Sequence, residues 1–566
     1  MPPDIYSRRF AASFVAIRRP DRAGARNLLE SSEPMASASA SGGGVPAHAR
    51  TLLGHPLGLF MLFFAEMWER FSYYGMRAIL VFYLTKHFLF GEQPAFAIYG
   101  AYTSLIYITP IIGGYIADRY LGPRKAVLAG GVFITIGHLM IAAVEAPQGV
   151  QGSALNGFYL ALAFIIVGTG FLKANISVLV GKLYRRDDTR RDGAFSIFYM
   201  GINTGAFIGP LLICYLGERM GWSYGFGAAG IGMALGLVVF VLFRRELYDV
   251  GEPPVPAALR SRTPIGLSIE WAIYAGALVA VVLAWWLVRS QGAVGTLLIA
   301  ASVLTVGFIL MTSFRSLPRV ERHRIFAALF LIALSPLFWA LFEQAGSSLN
   351  VFTDQSVDRR VFGWDMPASW FQSVNSFFII TLAPLFGLLW TAMGKRGIEP
   401  SAPFKFGIGL ILVGAGFFAL ILGVPAQGLT PAIFVILLYM LHSMGELCFS
   451  PIGLSSMTRL AVASMTGLMM GTWFLATAAG NFIAGLIAQA TGGEGAGPET
   501  VLAVYGRIGW FSMGVGVVVL VLAPFVTRLM HLDTIGDAPD HALAGESAIG
   551  EPAAAGTDTR DEQRPR

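Results

Sequence analysis

The sequence predicts an all-α membrane protein of fourteen spans, and three observations carry that prediction. Of its 566 residues, 55% are hydrophobic and 13% charged, whereas an average soluble chain carries about 25% charge. The mean hydropathy is +0.63. Apolar runs longer than the roughly 20 residues needed to cross a bilayer recur along the chain, separated by short polar loops.

Taken in order, six spans start near residues 57, 95, 125, 155, 195 and 222 and form a first bundle over 55–245. A linker, 246–266, leads into two almost purely apolar spans within 267–312, where Glu270 is an acid near one end. Six more, starting near 324, 366, 402, 430, 464 and 503, form a second bundle over 323–530. Residues 1–54 and 531–566 have the Ala, Gly, Ser and charge-rich composition of disordered tails. No apolar core of signal-peptide length follows the early arginines, and Met35 is a second candidate start. Polar residues at membrane depth occur in the outer groups of six, so the middle pair is expected to lie beside the bundle without touching a substrate.

Assigning alternate loops to alternate sides puts about twenty Lys and Arg on one side and about six on the other, the asymmetry of cytoplasmic loops. Both termini are then expected in the cytoplasm. The basic loops read as topology and headgroup contacts, not as a nucleic-acid surface. Cys214 and Cys448 fall inside apolar runs and read as packing residues. The chain has no GxxxxGK[ST] motif for ATP, no clustered His or Cys for metal or haem, and no nucleophile motif. These patterns argue against an enzyme and against any cofactor.

The first span is the anomaly. Glu66, Arg70, Tyr73 and Arg77 follow at helical offsets and share one face, with Glu69 and Tyr74 on its border. An ionised residue at a lipid-facing helix centre costs about 2.5 to 3.5 kcal/mol, so this stripe must face protein or water. Lys173, Glu343 and Glu446 add charges in other spans. The first bundle contributes the excess of positive charge (Arg70, Arg77, Lys173) and the second only acids (Glu343, Glu446). A cavity between them has a basic and an acidic wall, which suits a zwitterion. Asn203 and Asn375 offer donors and acceptors to an amide, and an amide-containing zwitterion is a short peptide. His138 and His442, also in spans, read as hydrogen-bonded packing residues.

The loop GGYIADRYLGPRK, Gly113 to Lys125, resembles the signature of the major facilitator transporters, whose fold sets two six-helix bundles around a central site. EMWERFSYYGMR (Glu66 to Arg77) resembles the ExxERFxYYG motif of the proton-dependent oligopeptide transporters. FYMGINTGAF (Phe198 to Phe207) and GELCFSPIG (Gly445 to Gly453) are similar to the fifth- and tenth-helix segments of that family. The chain departs from the family at Ala206, where Ser is common, and at Ala174, where Pro is frequent. It also lacks the second-span His of animal relatives.

The resemblance implies a major facilitator fold with two extra helices between its bundles. It implies a symporter of the bacterial inner membrane that imports di- and tripeptides with protons by alternating access, with one chain sufficient. It assigns the substrate carboxylate to Arg70 and Lys173, the amine to Glu446, and the peptide backbone to Tyr73, Asn203 and Asn375, with Tyr74 a further substrate-binding residue. Trp339, Ser450 and Trp473 would line side-chain pockets. Proton coupling and gating fall to Glu66, Glu69, Arg77 and Glu343. Arg77 is expected to pair with Glu343 when the site is closed to the outside, and Lys173 with Glu446 when it is empty. A symporter of nitrate or of a peptide-like drug, and a peptide receptor that transports nothing, are the rival readings.

Overall fold

The computed structural model describes residues 44–532 apart from 47, 144–148, 150–151, 186–187, 265, 362, 463–464 and 494–496. The expected disorder of 1–43 and of 533–566 therefore lies outside the described residues. Residues 44–54 are not a loose lead-in. Val45 N donates to Leu183 O, Arg50 pairs with Glu246, and Thr51–Leu52 forms a small hairpin with His55–Pro56.

Among the described residues fourteen helices have spanning length. They are α1 Leu57–Phe82, α2 Glu92–Ile116, α3 Gly122–Ala143, α4 Ser153–Lys182, α5 Arg191–Gly209, α6 Trp222–Leu242 and α7 Ile269–Arg289. The others are α8 Gln291–Ser316, α9 Arg319–Phe342, α10 Gln372–Lys395, α11 Ala402–Leu422, α12 Ala432–Leu460, α13 Thr466–Thr491 and α14 Pro498–Leu529. By length and composition alone, 12 stretches qualify as spans among the described residues. One of these, Glu92–Ala143, contains both α2 and α3, and α1 does not qualify because of its charges. Short π-helical turns extend α1, α2 and α5.

The helices pair as two bundles. In the first, α1 packs on α5 and α6, and α4 on α2 and α3; in the second, α11 packs on α12 and α14, and α9 on α13. The bundles meet along α2 with α13 and α5 with α10. The first contact is very close: a Cβ on Gly100 would sit 2.9 Å from the Gly485 Cα. Small residues let helix backbones approach where the lipid supplies no hydrophobic drive for association.

The middle pair touches both bundles instead of leaning on one. Helix α7 lies on α4 and α2, with Lys125 paired to Glu270 at 2.5 Å and Trp285 Nε1 donating to Asn156 O at 3.3 Å. Helix α8 lies on α13 and α2, with Gly295 against the Phe482 ring. Its outer face, including Val303, Leu304 and Phe308, is exposed as lipid-facing apolar surface.

Candidate functional site

Helix α5 sets the rotation of α1. Gly201, Gly205 and Gly209 recur every fourth residue and form one smooth stripe against it. A Cβ at Gly205 would lie 2.1 Å from the Met67 carbonyl oxygen, and one at Gly209 would lie 2.4 Å from that of Phe71. With its Met67–Phe71 side held there, α1 turns Glu66, Glu69, Arg70, Tyr73 and Arg77 into the protein, where all are buried. The fifth-helix glycines thus have a packing role, and the charged stripe of α1 depends on it.

A buried charge needs a partner, and each of the α1 charges has one. Arg70 Nε donates to Glu66 Oε1 at 2.7 Å and stands 3.0 Å from Glu69 Oε2. Arg77 Nη1 reaches across the bundles to Glu343 Oε2 at 2.8 Å. Glu343 lies where α9 ends and gives way to a 3₁₀ turn, Glu343–Gly346, before a short helix, Ser348–Ser356. Gly346 in that turn packs directly on the Tyr99 ring of α2. Tyr73 and Tyr74 flank Arg77, with ring centroids 5.9 and 5.3 Å from its guanidinium carbon. The Tyr73 hydroxyl is buried without a protein hydrogen-bond partner.

Lys173, expected against Glu446, instead holds its ammonium 3.8 Å from the centroid of the Tyr107 ring. An aromatic face substitutes for a carboxylate there. On the opposite wall, Asn375 Nδ2 donates to Glu446 Oε2 at 3.1 Å and to Ser443 Oγ at 2.9 Å. Asn203 is buried in the first bundle and donates to Tyr199 O of its own helix. Trp339, Ser450 and Trp473 are buried too. The two tryptophans pack in the core of the second bundle, Trp339 edge-on to Phe338 and Phe342, and Trp473 on Gly453.

A small cavity opens between the bundles, lined by Tyr74, Arg77, Phe342, Asn375, Tyr439 and His442 among others. The sequence reading missed Tyr439 and His442 as lining residues. The available signal was a second stripe, Tyr439, His442, Glu446 and Ser450, at helical spacing on α12. His442 Nε2 bonds Val413 O at 3.0 Å, as a packing histidine would. His138 departs from that expectation, since both its ring nitrogens are buried without a hydrogen-bond partner. Lys405, also missed, is buried beside Glu399 and over Trp390.

On the face carrying the α1–α2, α5–α6 and α9–α10 loops, polar bonds tie the bundles together. Lys86 pairs with Asp354 at 2.6 Å, Gln355 donates to Glu92 at 3.0 Å, and Gln93 donates to Gly492 O at 2.8 Å. Ser369 donates to Glu218, and Arg219 to Asp365 O. Just inside them, Asn350 and Gln372 of the second bundle both donate to Ala78 O of α1. The buried Arg77–Glu343 pair adds an ionic tie between the bundles.

A family model described as the POT family matches residues 124–499. Peptide transporter YePEPT of Yersinia enterocolitica is 39% identical over 469 residues, covering 77% of this chain and 88% of that relative. Dipeptide and tripeptide permease B of Edwardsiella piscicida is 32% identical over 495 residues, covering 86% and 98%. A crystal structure of a mutant of the peptide transporter POT in complex with alafosfalin matches with a TM-score of 0.73 at 38% identity, covering 85% of this chain and 97% of that one. With the charged α1 stripe, the bundle pairing and these matches in agreement, the chain belongs to the POT family of membrane transporters.

Proposed function

We propose that this chain is a proton-coupled symporter that imports di- and tripeptides across a bacterial inner membrane by alternating access. The observation that carries the reading is the ion pair Arg77–Glu343, which joins the two bundles beside a cavity lined by Arg77 from the first bundle and by Asn375, Tyr439 and His442 from the second. The names of the two relatives, a peptide transporter and a dipeptide and tripeptide permease, support the substrate class.

In this reading the arginine-rich loops lie in the cytoplasm and the face tied by Lys86–Asp354 is the outside, so the structure is a state shut to the outside. Peptide enters the opposite state with its carboxylate toward Arg70 and Lys173 and its amine toward Glu446 and Asn375. Tyr73, Tyr74 and Asn203 meet the backbone, while Ser450 shapes a side-chain pocket. Protonating Glu343 cancels the charge that holds Arg77, which lets the outer face part. Glu66 and Glu69, both against Arg70, modulate its hold on the carboxylate and offer a place for a proton. One chain contains the whole site, so a monomer suffices.

Competition separates this reading from a nitrate or general anion symporter. Uptake of labelled dialanine into proteoliposomes is expected to fall in the presence of unlabelled di- and tripeptides and to be indifferent to nitrate and to free alanine. Inhibition by nitrate with none by tripeptide would remove the peptide assignment.

A further inference from the structure

His442 has no role in the reading above, yet its surroundings give it one. A carbonyl oxygen only accepts hydrogen bonds, so the 3.0 Å bond between Nε2 and Val413 O requires a proton on Nε2, and in the neutral imidazole Nδ1 is then the acceptor. The Nε2–Cδ2 edge is the one pressed on α11: a Cβ at Gly416 would lie 2.6 Å from Cδ2 and 2.8 Å from Nε2. Nδ1, on the opposite edge, is not among the buried polar atoms that lack a partner, and the residue lines the cavity. The ring itself is 1% exposed and stands between Phe342 and Phe417, so its orientation is held by packing.

His442 also lies one helical turn before Glu446 on α12, on the same face. Asn375 spends its amide group on Ser443 and Glu446, which leaves its Oδ1 as an acceptor. An ammonium carries three donors in tetrahedral arrangement, and a carboxylate alone meets only part of that need. We propose that His442 Nδ1 is a substrate-binding atom, the third acceptor with Glu446 and Asn375 Oδ1 around the α-ammonium of the peptide. The inference rests on the orientation proposed above, with the amine at the acidic wall. A neutral imidazole in this position favours a primary ammonium over a capped or acylated terminus, which brings fewer donors and no charge.

The test compares affinity for dialanine and for N-acetyl-dialanine, by competition against labelled peptide, in the full-length protein. His442→Leu keeps an apolar body of similar bulk and removes the acceptor. It is expected to weaken dialanine by about tenfold, the worth of one hydrogen bond to a charged group, while leaving N-acetyl-dialanine nearly unchanged. Binding of the acetylated peptide thus serves as the fold control. His442→Gln, whose amide can donate to Val413 O and still present an acceptor, is expected to recover most of the loss. An unchanged dialanine to N-acetyl-dialanine ratio in His442→Leu overturns the assignment. If Glu446→Gln does collapse that ratio, only the role of His442 is lost; if it does not, the orientation of the peptide fails with it.

Discussion

Proteoliposomes containing Glu343→Gln are expected to lose proton-driven accumulation of dialanine altogether while still exchanging labelled for unlabelled peptide. The effect is large because the driving force is large. One proton moving through 100 mV supplies about 2.3 kcal/mol, enough for roughly 50-fold accumulation. Glutamine keeps the shape of the side chain and a hydrogen bond to Arg77, but it is fixed in the neutral form. The gate is then held in the condition that protonation normally creates, and peptide exchange needs no proton to cycle. A variant that still concentrates peptide under an imposed proton gradient would mean that the coupling acid lies elsewhere, with Glu66 and Glu69 the nearest alternatives.

Replacement of Arg70 is expected to remove high-affinity peptide binding. Truncating one partner of a desolvated, hydrogen-bonded charge pair costs 2 to 5 kcal/mol, or at least roughly a thirtyfold loss. Arg70→Ala has a second consequence, since Glu66 and Glu69, each 1% exposed, would lose the cation that both now contact. Breaking a buried ion pair in that way destabilises by about 3 to 5 kcal/mol, so loss of fold and loss of binding would be mixed. Arg70→Lys separates them. Lysine keeps the charge between the two acids but lacks the planar fork that grips a carboxylate at two points. Its melting temperature should stay within a few degrees of the parent while peptide affinity falls at least tenfold. Wild-type affinity in Arg70→Lys would contradict the carboxylate role.

The parts of the molecule that a single sequence made legible are those with a periodic or charge signature. The α1 stripe could be read because four charges in an apolar helix must face protein or water, whereas the choice of Glu343 over Glu446 as the partner of Arg77 came from the family resemblance and not from charge alone. The surroundings of Lys173 were not legible, because an aromatic partner such as Tyr107 leaves no mark of charge in the sequence. Trp339 and Trp473 show the same difficulty from the other side: pattern alone does not divide core packing from pocket lining, and both side chains pack in the second bundle. The role of His442 was legible only through its spacing from Glu446 on α12, since one histidine in an apolar helix looks the same whether its second nitrogen meets protein or cavity. The bridging placement of α7 and α8 was equally hidden, because their spacing and apolarity specify lipid exposure and say nothing about which bundle each one touches.

The most direct test of the account is uptake of labelled dialanine by wild-type proteoliposomes with and without an imposed inward proton gradient. Accumulation above the external concentration is expected only when the gradient is present, with collapse on adding a protonophore and proton influx that rises when dialanine is added. Equal uptake with and without the gradient, or accumulation that survives the protonophore, would contradict it.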